Sequence, residues 1–228
     1  MAGTRWLDLA QYTARARADL SVSVTHWTKR NLCFTDENDR TVRHRLTAFD
    51  VLKRIIRDRR IRASTTESGF IKGNQRATCF SEAPVIVMAR LFKTVKYDRQ
   101  AKPFLHWESC GLSFLKPIIY QKFGGRPVLY LSQEEYHQWV ESTGLVEALA
   151  WRVVRFDQAV LEEAVDFSHE REWRVRNDVI FDGLRGIERP LAVVDKTNER
   201  DELLQEFPPG DESPIRGVFC LQDLRVLG

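Results

Sequence analysis

Apolar and polar residues alternate through Val22-Ser23-Val24-Thr25-His26-Trp27-Thr28, a period of two that predicts a β-strand. The period then changes. Phe49, Leu52, Ile55 and Ile56 recur at helical spacing, Thr47 stands where an N-cap belongs, and Lys53, Arg54 and Arg57 fall on the outward side. Gly69 and Gly73 mark a turn before a short strand, Ala77-Thr78-Cys79-Phe80, and a helix through Val85, Met88 and Leu91 follows Pro84. Residues 5–20 read as a first short helix.

Further on, Pro127-Val128-Leu129-Tyr130-Leu131 follows Gly124-Gly125 and reads as a core strand. Ser132-Gln133-Glu134-Glu135 then has the pattern of a capping box opening a helix. Residues 150–156, 172–175, 191–194 and 215–220 read as strands, the first of them with opening residues that also suit a helix end, and 211–214 as a loop. Helices early and strands late favour an α+β fold over a regular βαβ repeat. At 228 residues, with no repeat or linker, the expectation is one domain, 1–228, with its motifs between about 22 and 180.

Composition narrows the class. The chain is 43% apolar and 29% charged, with 13 Phe and 6 Trp, enough to bury a core and unlike a disordered chain or coiled coil. No apolar run approaches the roughly 20 residues that cross a bilayer. Met1 to Arg17 carries Asp8 and three arginines and does not read as a secretory signal. Cys33, Cys79, Cys110 and Cys220 are widely spaced with no CxxC pair, which argues against a zinc site and a disulfide framework. The expected compartment is the cytoplasm, with no membrane partner.

A net charge of +3 decides little, but its distribution is uneven. Arg40, Arg43, Arg45, Lys53, Arg54, Arg57, Arg59, Arg60 and Arg62 crowd one stretch, against Asp50 and Asp58, whereas Glu199 to Glu212 is mostly acidic. One reading is a positive face for a polyanion, with Arg54, Arg57 and Arg60 as nucleic-acid contacts; the other is a solvated helix face.

The sharpest local signal is Phe167-Ser168-His169-Glu170-Arg171-Glu172-Trp173-Arg174-Val175. Extended, it places Glu170, Glu172 and Arg174 on one face and Trp173 and Val175 on the other, toward the core. Two carboxylates sharing a site raise the pKa of one and call for a ligand, a cation or Arg174; a surface salt-bridge ladder with Arg171 and Arg174 explains the same residues. His26 in its strand suits either a site or a hydrogen-bonded core. Ser81 and Glu82, ending a strand before a helix, suit either an anion site or a simple cap.

Other chemistries are poorly supported, metal-dependent cleavage remaining open but handicapped. There is no G-x-x-x-x-G-K-[ST], His169-Glu170 is followed by Trp173 where a second His would stand, and Arg174 occupies the Lys position of a D…E-x-K nuclease.

Taken in order, His26-Trp27-Thr28, Phe80-Ser81 and Glu170-Arg171-Glu172 resemble the motif order of ADP-ribosyltransferases. Cys79-Phe80-Ser81-Glu82-Ala83-Pro84, Gly111-Leu112-Ser113-Phe114, Gly124-Gly125-Arg126-Pro127-Val128-Leu129-Tyr130 and Glu170-Arg171-Glu172-Trp173-Arg174 together look like the AbiGi abortive-infection proteins, over roughly residues 26–176. That resemblance implies a split β-sheet that holds NAD as substrate, as in DarT-like toxins that modify nucleic acid, with no metal needed. Carried over, His26 and Thr28 bind the adenosine ribose side, Ser81 holds the nicotinamide ribose, and Glu172 is the catalytic carboxylate. Glu170 orients the acceptor or takes its proton, and ring stacking falls to Phe80 or Trp27. Arg76 is assigned a phosphate contact on charge and position alone. The implied protein is a toxin of a phage-defence or toxin–antitoxin system, with an RNA or DNA acceptor and a cognate antitoxin. The alternatives are an AbiGi-type antitoxin that only binds a partner, and a metal-dependent nuclease using Glu170 and Glu172.

Overall fold

In a computed structural model of the chain, the described residues are 21–29, 34–35, 41–42, 46–64, 71–97, 108–143, 146–157 and 166–225. The helix expected over residues 5–20, and Cys33, Arg40, Arg43, Arg45 and Gly69, lie outside them. The chain is α+β, with mostly antiparallel strand pairing and flanking helices. No helix among the described residues is long and apolar enough to cross a membrane. The contacts cluster into two compact units, each drawn from three separated stretches: 1–24, 61–83 and 115–180 in the first, 25–60, 84–114 and 181–228 in the second.

In the first unit, strand Ala77–Ser81 pairs antiparallel with Glu172–Arg176, which pairs antiparallel on its other side with Arg126–Pro127. Leu129–Leu131 lies parallel to Val153–Arg155, behind a 3₁₀ turn, Ala150–Arg152, where the sequence suited both a helix end and a strand. Helix Gln133–Thr143 opens on the expected box: Ser132 N–H donates to Glu135 Oε2 (2.7 Å), and Glu135 N–H to Ser132 Oγ (3.1 Å). Helix Lys116–Phe123 was not anticipated. It ends on Gly124, whose left-handed φ of 67° suits glycine, so the glycine pair closes a helix as well as preceding a strand.

In the second unit, strand Leu191–Val194 lies parallel to Gly217–Cys220 and antiparallel to Gly111–Leu115. Ala192, Val193 and Val194 are buried, as a strand covered on both faces requires. Helix Ala48–Asp58 is capped reciprocally, Asp50 N–H to Thr47 Oγ1 (3.1 Å) and Thr47 N–H to Asp50 Oδ2 (3.0 Å), and buries Leu52 and Ile56. Helix Val85–Tyr97 follows Pro84 as expected, and Phe92 packs edge-on against Trp27 at 5.0 Å. Helices Thr197–Glu206 and Leu221–Arg225 lie among the late strands, so helices are not confined to the early part of the chain.

Candidate functional site

Strand Glu172–Arg176 begins where a strand is expected, but the extended conformation does not reach back to Glu170. Ser168–Glu170 is a 3₁₀ turn and Arg171 is left-handed (φ 46°, ψ 53°), so Glu170 is placed by a turn, not by strand alternation. From Glu172 onward the alternation holds. Glu172 stands opposite Ser81, and Arg174 opposite Cys79, on one face; Trp173 and Val175 take the other, opposite Phe80 and Thr78. Ser81 Oγ donates to the Glu170 carbonyl (2.9 Å) and accepts from Ala83 N–H (3.2 Å). Glu82 N–H also reaches the Glu170 and Arg171 carbonyls (3.2 Å each). The end of one strand thereby fixes the turn that carries Glu170.

Glu172 is held through both its backbone and its side chain. Its N–H donates to the Tyr130 hydroxyl (3.1 Å) and its carbonyl accepts from Val128 N–H (3.0 Å). Arg174 grips both carboxylate oxygens, Nε to Oε1 at 2.7 Å and Nη2 to Oε2 at 3.3 Å, and its Nη1 donates to the carbonyls of Trp151 (2.8 Å) and Val153 (3.2 Å). With Glu172 at 8% exposure and Arg174 at 2%, this is a buried pair, not the surface ladder that the same residues suggested. Such a pair tolerates desolvation because the two charges meet in bidentate geometry and Arg174 Nη1 finds two carbonyls.

Glu170 differs sharply. Burial first, and then the charge of Glu172, push its carboxyl up to about 8, against the opposing pull of Arg174. Burial and then Glu172 likewise hold the Cys79 thiol well above its ordinary value. Glu82 turns its side chain toward two others. Its carboxylate takes Lys116 Nζ (2.5 Å) and the Trp173 indole N–H (2.6 Å).

The remaining expected site residues are placed otherwise. Phe80, 2% exposed, lies on the strand face opposite to Ser81, so its ring belongs to the core and not to the Ser81–Glu172 face. Arg76 is five residues from Ser81, about 16 Å along an extended strand, and donates to the Ala63 carbonyl (2.9 Å) beside Asp178.

His26, Trp27 and Thr28 belong to the second unit. Trp27 is a core ring packed on Phe92. Thr28 is 2% exposed, its hydroxyl within bonding distance of the Ala48 (2.9 Å) and Cys110 (3.0 Å) carbonyls, which makes it a clamp between segments. His26 is half-buried, and its carbonyl lies 2.5 Å from where a Cβ at Gly111 would stand.

The basic helix is largely neutralised within that same unit. Lys53 Nζ meets Glu202 at 2.6 Å and Asp50 at 3.7 Å, Arg57 pairs with Glu206, and Arg54 lies 3.6 Å from Asp58. The acidic stretch read separately in the sequence thus supplies counter-charges to the basic one, while Arg57 itself remains exposed on the outward side. Arg60 stays exposed at the start of strand Arg60–Ile61.

Sequence reasoning overlooked Tyr130, Arg126 and Arg152, which surround Glu172 and Arg174 in the first unit. Only Arg126 and Tyr130 carried a signal, as members of one of the resembling motifs. Among the described residues no three His, Cys, Asp or Glu side chains converge as a metal set. Compared with known protein families, curated proteins and solved structures, the chain matches none.

Proposed function

We propose that the chain is an NAD-dependent ADP-ribosyltransferase, a toxin of a phage-defence or toxin–antitoxin system that modifies an RNA or DNA base and is restrained by a cognate antitoxin. The observation that supports this best is the pair of unlike carboxyls: Glu172 held by Arg174 opposite Ser81, and Glu170 with its proton retained to about pH 8. Two neighbouring carboxyls in such different surroundings are suited to different roles.

In the proposed reaction the nicotinamide–ribose bond breaks, its electron pair leaves with nicotinamide, and the ribose carbon becomes cationic, as in glycoside cleavage. Glu172, accepting from a ribose hydroxyl, stabilises that charge. Arg174 takes one acceptor position on each carboxylate oxygen and the Cys79 thiol also bonds the group, which together orient it and leave acceptor capacity for the ribose hydroxyl. The acceptor base then bonds to the ribose carbon, and Glu170, once deprotonated, takes the proton it sheds.

The test is incubation of the purified chain with labelled NAD and cellular RNA, DNA and protein. Label on nucleic acid is expected; label on none of the three rejects the reading. Glu170→Gln is the cleaner variant, because Glu172→Gln leaves a buried guanidinium without its carboxylate and confounds catalysis with folding.

A second reading draws on that same grip. With both Glu172 oxygens engaged by Arg174, the fold serves equally as a non-catalytic, AbiGi-type neutraliser of a partner toxin. Expression in a host separates the two: a transferase arrests growth, a neutraliser is harmless alone. Strand cleavage that needs magnesium but not NAD would instead identify a nuclease.

A further inference from the structure

Arg126 and Arg152 bring two guanidinium groups to one short segment of the first unit. Arg152 donates from Nε (3.1 Å) and Nη2 (2.8 Å) to the Pro127 carbonyl. Arg126 donates from Nη1 to the Gly125 (2.8 Å) and Tyr120 (3.3 Å) carbonyls, and its guanidinium carbon lies 3.8 Å from the centre of the Tyr120 ring. All of these partners are neutral. Among the described residues no carboxylate pairs with either arginine, in contrast to Lys53 and Arg57 of the basic helix. The two charges are near enough to act on each other: burial, and then Arg126, lower the pKa of Arg152.

Their position is specific. Arg126 pairs in register with Arg174, and Val128 N–H donates to the Glu172 carbonyl (3.0 Å), so this segment runs alongside Glu172–Arg174. Arg152 lies between Trp151 and Val153, whose carbonyls hold Arg174 Nη1. Nη1 of Arg152, and Nε and Nη2 of Arg126, make no hydrogen bond to a described residue and retain their donors. Two fixed guanidinium groups that no described carboxylate compensates, with donors open toward the described residues, form a phosphate-binding arrangement.

We propose that Arg126 and Arg152 form a clamp for the phosphodiester backbone of a nucleic acid, holding it beside Glu172. That this nucleic acid is the acceptor rests on the transferase reading; the binding itself requires no NAD.

The experiment is fluorescence anisotropy with labelled single-stranded RNA and DNA oligonucleotides of about 12 nucleotides, across a salt series. Replacing both residues (R126A/R152A) is expected to weaken binding about tenfold or more. It should also flatten the plot of log affinity against log salt by about 1.4, two contacts at roughly 0.7 each on a single strand. R126K/R152K, which keeps both charges, should retain most of the slope. If the alanine variant melts early, R126Q/R152Q takes its place, since glutamine amides still reach carbonyls without the charge. Unchanged affinity in the uncharged variants, or no binding by the wild type, overturns the clamp. Displacement of the oligonucleotide by NAD at the same arginines also overturns it, by assigning them to the dinucleotide pyrophosphate. Binding intact with no transfer from NAD rejects the transferase reading and leaves the clamp standing.

Discussion

Ser81 and Glu172 face each other across neighbouring antiparallel strands, and Ser81 reaches past its partner to hydrogen-bond the Glu170 carbonyl at 2.9 Å. That hydroxyl, together with the Glu82 N–H, fixes the turn between two glutamates that are nearly adjacent in sequence and differently surrounded. Glu172 is gripped by Arg174, while Glu170 keeps its proton to about pH 8.

Arg174→Ala strands the Glu172 carboxylate in a buried site and is expected to cost about 3–5 kcal/mol in urea denaturation. The double substitution Glu172→Leu with Arg174→Met should recover most of that loss, since apolar pairs of similar volume replace buried ion pairs without penalty. A double variant as unstable as the single would show that the pair is not acting as a unit.

Glu170 makes stability fall with rising pH. Its carboxyl ordinarily loses its proton near 4.5 but keeps it to about 8 in the folded chain, so between those values the folded state binds the extra proton. The contribution is fully present below about 4.5 and is lost as pH rises through about 8. Melting temperatures of wild type and Glu170→Gln, measured from pH 5 to 9, should diverge, the variant lacking this part of the decline. Parallel curves would remove the assignment.

If Glu170 takes the acceptor's proton, labelling from NAD should rise as pH passes through about 8. Glu170→Gln should lower the rate by about 10²-fold or more and abolish that rise. A pH profile unchanged by the substitution would exclude Glu170 from proton transfer.

Gly111→Ala should destabilise the chain by about 1–3 kcal/mol, because the new Cβ would lie 2.5 Å from the His26 carbonyl, a backbone atom that cannot rotate aside. Thermal unfolding is the readout. A variant as stable as the wild type would mean that the strands part at little cost.

Glu202→Ala with Glu206→Ala releases Lys53 and Arg57 from their counter-charges. Exposed pairs of this kind contribute about 0.2–1 kcal/mol each, so stability should change little while non-specific oligonucleotide binding rises and becomes more salt-dependent. No change in binding would show that this helix face is unimportant to polyanions even when unpaired.

Much of the local structure was legible along the chain. The alternation at 22–28, the Thr47 cap with Leu52 and Ile56 beneath it, and the Ser132 box all report interactions confined to a few consecutive residues. The face shared by Glu172 and Arg174 was legible for the same reason, since strand alternation is a property of the backbone alone. Strand Gly111–Leu115 and helix Lys116–Phe123 were harder, because an apolar run passes directly into a helix and little but Pro117 marks the junction.

What the sequence determined by itself was which residue types sit at which spacing: a capped basic helix, an acidic stretch far downstream, and Glu and Arg two apart on a strand. What only the tertiary structure decided was their surroundings. It set the acidic helix against the basic one, buried the Glu172–Arg174 pair, and lifted Glu170 out of the strand into a turn. The physical reason is that charge, burial and pKa depend on neighbours brought from distant parts of the chain, and no local period records which neighbours those will be.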